Sequence, residues 1–377
     1  MVLSAASFGI LGGCLTLPGT LLPLLVERFG IRLVEAGSML ALLPVGYLLA
    51  VTVAGRLIEA YGMQRVLAAG MLTSAAGFTG FGVISSWTGG ATMMLVGGLG
   101  FGVMEVGTNT LLIVAGGERR SNLLNLAHLF FGVGSFITPA LAAHAVAAGV
   151  SWRVTFLVAG AATAAVAAGW GLFKVQDVSA VRPAGGRARN AVRSPSALLF
   201  AAMLAVYVGT ETGIGAWLTK YMVTVRQVTL IYAGNALSAY WLGLAAGRLV
   251  LSVLSHRARE EALLVMLTLV ATIAMCGVLM VQQPLGVVIC AALTGLGFSG
   301  IFPAVIALGG RSHVHDAASV TSVMIAGAGL GGILIPWSMS AVADAAGLTA
   351  GMSVYAGLCA VMVLQALVVP LVLSRQP

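Results

Sequence analysis

Twelve apolar runs, each about as long as a membrane is thick, follow one another along this chain of 377 residues. A helical span needs roughly 20 consecutive apolar residues. The runs cover 3–26, 36–58, 65–85, 91–115, 121–149, 153–173, 196–223, 229–254, 262–281, 284–310, 316–343 and 349–373. The fifth and eleventh are long enough to tilt or protrude. Ten-residue segments with period-2 alternation are missing, which excludes a membrane β-barrel. The expected fold class is an all-α polytopic membrane protein with twelve transmembrane helices in two six-helix bundles. The chain enters its first run with no basic leader region or cleavage site, so that run is expected to stay as span 1.

Charge supports the same architecture. The chain holds 19 Lys and Arg and 11 Asp and Glu, or 8% of its residues. A soluble domain carries about a quarter. Its 50 glycines suit membrane helices, where small residues let backbones approach. The net charge of +8 is spread over short loops, so no nucleic-acid partner is expected. Cys14, Cys276, Cys290 and Cys359 lie in apolar runs without metal-ligand spacing and read as small hydrophobes. Nucleophile–base pairs and nucleotide motifs are missing, and glycine-rich stretches such as 98–102 fall inside spans. Neither an enzyme nor a bound cofactor is expected.

One polar segment, 174–195, rich in Pro, Gly and Arg, divides the spans six and six. The expected domains are 1–173 and 196–377, joined by a cytoplasmic linker at 174–195. Lysines and arginines favour the cytoplasmic side. With the N-terminus inside, 14 of the 19 fall on inner loops, the linker or the tail, Arg56 and Arg248 among them. Arg28, Arg32, Arg153, Lys220 and Arg226 fall outside. Both termini are therefore expected in the cytoplasm.

Two acids break the pattern. Glu105 and Glu211 sit near the middle of their runs, and the only other charge in either is Lys220, at the outer end of the second. A charged residue at the bilayer centre costs about 2.5–3.5 kcal/mol on insertion scales, which marks both as candidate functional groups. Glu105, Thr108 and Asn109 share one face of span 4. A carboxylate with such neighbours takes up a proton, binds hydroxyls or ligates a cation. In span 5, Asn125 and His128 lie one turn apart and are candidates to line a cavity. In span 7, Tyr207 and Glu211 stand at i, i+4, as do Trp217 and Tyr221. Gly209, Gly213 and Gly215 flank the acid and permit a break or a close helix approach. Aromatic rings beside a carboxylate suit a sugar, whose C–H face stacks while its hydroxyls pair. Trp217 and Tyr221 also fit an interfacial aromatic belt. Asn235 in span 8 adds an amide that both donates and accepts. No lysine or arginine is expected among these groups. Pro303 is expected to kink span 10 in mid-membrane.

The halves echo each other: Ala-Gly-Arg-Leu stands at 54–57 and again at 246–249. With six spans on each side of a central loop, the layout resembles the major facilitator superfamily. Its signature between spans 2 and 3 survives in part as Gly55, Glu59, Gly62 and Arg65, although the Asp-Arg pair is lost. Three stretches resemble the fucose–galactose–glucose:proton symporter branch. They are Met104-Glu105-Val106-Gly107-Thr108-Asn109, Leu124-Asn125-Leu126-Ala127-His128-Leu129-Phe130, and the glycine- and proline-marked stretch from Gly295 through Pro303, Gly331 and Pro336 to Gly347. The resemblance implies that Glu105 couples ion and substrate and that His128 faces substrate at a position where the branch has glutamine. It also exposes a departure. The branch carries an aspartate in span 1 where this chain has Gly19, so Glu211 becomes the candidate to replace that acid. Sodium-dependent glucose transporters in the same broad branch keep a Na+ site near Glu211 open.

The expectation is ion-coupled uptake of a neutral sugar, a hexose, by alternating access. The coupling ion is H+ or Na+, carried by Glu105 and Glu211. The substrate would be held by Asn109, Asn125, His128, Trp217, Tyr221 and Asn235. The alternative is an H+-antiport exporter of a drug or small metabolite. The expected setting is a monomer in a bacterial cytoplasmic membrane, in contact with the lipid bilayer.

Overall fold

The computed structural model describes residues 1–173, 194–254, 259–312 and 317–373, and among these every regular element is helical. The helices are Val2–Thr20 with Leu22–Phe29 (span 1), Leu33–Tyr61 (span 2), Met63–Val83 (span 3), Trp87–Gly116 (span 4), Arg120–Ala147 (span 5) and Trp152–Leu172 (span 6). Then follow Pro195–Thr224 (span 7), Leu230–Leu254 (span 8), Glu260–Met280 (span 9), Pro284–Phe298 with Ile301–Ser312 (span 10), Ala317–Ala346 (span 11) and Leu348–Leu373 (span 12). Eleven of these spans are long and apolar enough to cross a membrane. Span 8 is 25 residues long, and Asn235, Ser238 and Arg248 lie within it.

Local chemistry sets the helix ends. Ser86, Ser151 and Ser194 accept from backbone N–H groups in the first turns of spans 4, 6 and 7. Pro195 follows at the first helical position of span 7, where its missing N–H costs nothing. Gly62, at φ +84°, ends span 2. Of the expected linker, only Ser194 and Pro195 belong to the described residues.

Prolines place two breaks. Pro23 has no N–H to give Gly19, and the first span breaks at Leu21. Pro303 has none to give Ser299. Span 10 accordingly stops at Phe298 and restarts at Ile301, instead of kinking at the proline itself. Ala304 N, the next donor, bonds Gly300 O at 3.1 Å and opens the new helix.

The chain divides into two compact units, Met1–Pro183 and Ala184–Pro377. Inside the first, span 1 packs on span 5, span 2 on span 4, and span 3 on spans 4 and 6. Inside the second, span 7 packs on span 11, span 8 on span 10, and span 9 on spans 10 and 12. The second unit thus repeats the pairings of the first. Equivalent glycines make the tightest pairs possible. A Cβ on Gly46 or Gly98 would collide with the backbone of the opposite helix at Leu95 or Leu43. In the second unit Gly243 and Gly295 stand the same way against Ala292 and Tyr240. Such backbone approach is how membrane helices gain packing without a hydrophobic drive between them.

Two arginines assigned to the outer side by the charge count have structural work. Arg153 donates to Gly82 O and Val83 O, both at 3.0 Å, at the end of span 3. Arg226 donates to Val278 O and Leu279 O at the end of span 9. Each satisfies carbonyls that a helix C-terminus leaves open. Arg56 and Arg248, counted with the inner loops, instead lie inside helices Leu33–Tyr61 and Leu230–Leu254.

Candidate functional site

In the first unit the site is built on spans 2 and 4. Their glycine-lined contact brings the Tyr47 phenol of span 2 to face the Glu105 carboxyl group of span 4. Among the described residues no lysine, arginine or histidine lies within ion-pair distance of Glu105. Asn109 follows one turn later. Its Oδ1 is buried and finds no hydrogen-bond partner. On span 5, Asn125 and His128 are both exposed, one turn apart. The His128 ring lies 4.6 Å from that of Phe8 on span 1, which sets its position between the paired spans 1 and 5.

In the second unit the acid is not alone. Arg248 Nη2 of span 8 lies 3.8 Å from Glu211 Oε1 of span 7. The Glu211 side chain is 12% exposed and that of Arg248 40%. The Tyr207 side chain faces both groups. Its hydroxyl is buried but makes no well-formed hydrogen bond with either. Tyr240 Oη of span 8 donates to the backbone oxygen of Glu211 at 3.1 Å, a second tie between the same two spans. Arg248 arrives from another helix, 37 positions along the chain, and no local pattern announces that pairing.

The other residues expected in this half divide by burial. Trp217 and Tyr221 are fully buried. The Tyr221 ring carries Arg226 at 5.4 Å from its centroid. They are neither an open stacking face nor a lipid-facing belt in this arrangement. Asn235 is exposed. Span 7 runs unbroken through Gly209, Gly213 and Gly215, which are used for approach: they face Gly331, Tyr355 and Trp241.

Among the described residues no group of three or more His, Cys, Asp or Glu gathers to hold a metal ion. Na+ near Glu211 meets a direct electrostatic objection, because the Arg248 guanidinium already sits beside that carboxylate. Among the described residues Glu105 has no such competitor. Chemically, then, the first unit offers a carboxylate free to bind a proton or cation, with a buried amide oxygen one turn away. The second offers a carboxylate already matched by a cation.

Residues 4–321 match the model of the Major Facilitator Superfamily. The chain is 22% identical over 340 residues to a glucose/mannose transporter of Bacillus subtilis, spanning 85% of this chain and 83% of that one. A TsgA homolog of Yersinia pestis is 21% identical over 315 residues, 81% of this chain and 78% of its own. Among solved structures, a D-xylose-proton symporter superposes with a TM-score of 0.79 at 12% identity, covering 98% of this chain and 96% of its own. The E. coli fucose:proton symporter does so with a TM-score of 0.64 at 20% identity, covering 98% of both chains.

Proposed function

The chain belongs to the major facilitator superfamily, and from that premise we propose that it is a secondary active transporter taking up a neutral sugar together with H+ or Na+. The observation that carries the reading is Glu105. A carboxylate at membrane depth with a phenol and, among the described residues, no cation beside it has to be neutralised by something it picks up. A proton or sodium ion bound there changes which conformation is favoured, and that bias is all that ion-driven alternating access requires. The names of the Bacillus relative and of two structural neighbours, a glucose/mannose transporter and two sugar:proton symporters, support a sugar as the solute, and the glucose/mannose name favours a hexose. Asn109 with its unpartnered oxygen, and the exposed Asn125, His128 and Asn235, supply neutral hydrogen-bonding groups that match hydroxyls. The working form would be a monomer in a cytoplasmic membrane with both termini inside.

The test is uptake into proteoliposomes. Radiolabelled D-glucose, D-mannose, D-galactose, L-fucose and D-xylose are presented under separate H+ and Na+ gradients. Accumulation of one sugar under one gradient is the expected result. Failure of every sugar, with movement of a lipophilic cation against an H+ gradient, would replace this reading with proton-driven export.

A further inference from the structure

The two membrane acids resemble each other in the sequence and differ in their surroundings. Glu105 faces Tyr47 and, among the described residues, no cation. Glu211 faces Arg248 at 3.8 Å. We propose that Arg248 is a fixed internal countercharge that withdraws Glu211 from ion coupling, so that Glu105 alone carries the coupled ion and one ion accompanies each solute molecule. This rests on the reading of the protein as an ion-coupled transporter and adds its stoichiometry and the part played by Arg248.

The argument is one of charge. A lone carboxylate in a low-dielectric span stays ionised only at high cost, so it binds a proton or metal cation while it is shut off from water. A carboxylate beside a guanidinium is already neutral as a pair. A second cation placed there would leave one positive charge uncompensated, at the penalty that isolated buried charges carry. Glu105 is in the first condition and Glu211 in the second. A proton or sodium ion taken up by Glu105 on one side is released unchanged on the other, and Glu211 neither gains nor loses one.

The countercharge is held in place. Tyr240, two turns before Arg248 on span 8, fastens that helix to the Glu211 backbone. Gly247, beside Arg248, packs so closely on Ser299 of span 10 that a Cβ would strike its side chain. The other titratable side chains around the pair are the phenols of Tyr207, Tyr240 and Tyr355 and the thiol of Cys359, none with a formal charge at neutral pH. Within its unit, then, Glu211 has one described partner able to balance it.

The experiment measures the solute gradient that just balances an imposed ion gradient at zero membrane potential, using D-glucose or the panel sugar that accumulates. A tenfold ion gradient balances about a tenfold solute gradient with one ion and about a hundredfold with two. Wild-type protein is expected to give the tenfold value. Arg248→Gln strips Glu211 of its countercharge and is expected to move the balance toward the hundredfold value. Should that variant fail to fold, Glu211→Gln with Arg248→Gln removes both charges together and is expected to keep the one-ion balance, whatever its turnover. A wild-type balance near a hundredfold would overturn the proposal. So would an active Arg248→Gln protein that stays at tenfold, or a double variant that exchanges sugar without accumulating it. Wild-type protein indifferent to both gradients would overturn the transporter reading itself, a failure visible before any variant is made.

Discussion

The Tyr47 phenol on span 2 faces the Glu105 carboxyl group on span 4. Backbone contact between the two helices makes this possible. Gly46, next to Tyr47, lies against Leu95, and Gly102, one turn before Glu105, lies against the Tyr47 carbonyl. A hydrogen bond closed between that phenol and the carboxylate during transport would contribute about 1.5–3 kcal/mol, or roughly tenfold or more in an equilibrium. Tyr47→Phe is therefore expected to cut ion-driven sugar accumulation about tenfold while sugar exchange without a gradient falls much less. Equal losses in both assays would reduce Tyr47 to a packing residue.

Glu105→Gln removes the group that takes up the ion and keeps its size and hydrogen-bonding capacity. Accumulation under either gradient should disappear, and counterflow of preloaded sugar should persist. A mutant that still concentrates sugar would remove Glu105 from the coupling mechanism.

Most of the fold is legible in the sequence, because a membrane span has a length and a composition that little else imitates. The apolar runs match the helices within a few residues. The proline at 303 also announces a disturbance, although the break falls at Ser299–Gly300, where the carbonyl it cannot bond lies. Side-chain placement is less legible. Spacing of i, i+4 puts Trp217 and Tyr221 on one face but cannot say whether that face meets a neighbouring helix, and here it does. Tyr47 and Arg248 reach the two acids from other helices, at distances fixed by glycine contacts. A linear reading therefore finds each acid and misses its partner.

Glycine at a helix crossing should differ from glycine on an open face. A Cβ on Gly98 would enter the backbone of span 2 at Leu43, and no side-chain rotation relieves that collision. Overpacking of this kind costs about 1–3 kcal/mol or more. Gly98→Ala is expected to lower the thermal midpoint of the purified protein by several degrees. Gly357→Ala, where nothing lies within 4 Å, is the matched control and should be neutral or slightly stabilising. Equal effects at the two positions would mean that spans 2 and 4 are not in backbone contact.

Arg153 closes the C-terminal end of span 3 through Gly82 O and Val83 O and lies 5.0 Å from the Trp152 ring centroid. Charged hydrogen bonds to the last carbonyls of a helix are worth about 1–2 kcal/mol in a partly buried setting. Arg153→Ala should lower thermal stability by about that amount without changing the affinity for sugar. Arg153→Lys should recover only part of the loss, because an ammonium cannot span two carbonyls in the planar fork of a guanidinium. A stability-neutral Arg153→Ala would leave the arginine without a structural role.

Asn109 permits a sharper separation of stability from binding. Its Oδ1 is buried and has no hydrogen-bond partner among the described residues. An acceptor left in that state costs about 1–3 kcal/mol, which a sugar hydroxyl arriving as donor would recover. Truncation should therefore act differently on the empty and the loaded protein. Asn109→Ala is expected to leave the thermal midpoint of the sugar-free protein unchanged or slightly raised, because it deletes an unpaired group. The same variant should weaken sugar binding about tenfold or more, read by calorimetry or by the loss of sugar-induced thermal stabilisation. An asparagine that merely braces the helix bundle would give the reverse: a less stable empty protein with sugar affinity intact. That outcome would take Asn109 out of the binding site and leave the exposed Asn125, His128 and Asn235 as the candidates to be tested for hydroxyl recognition.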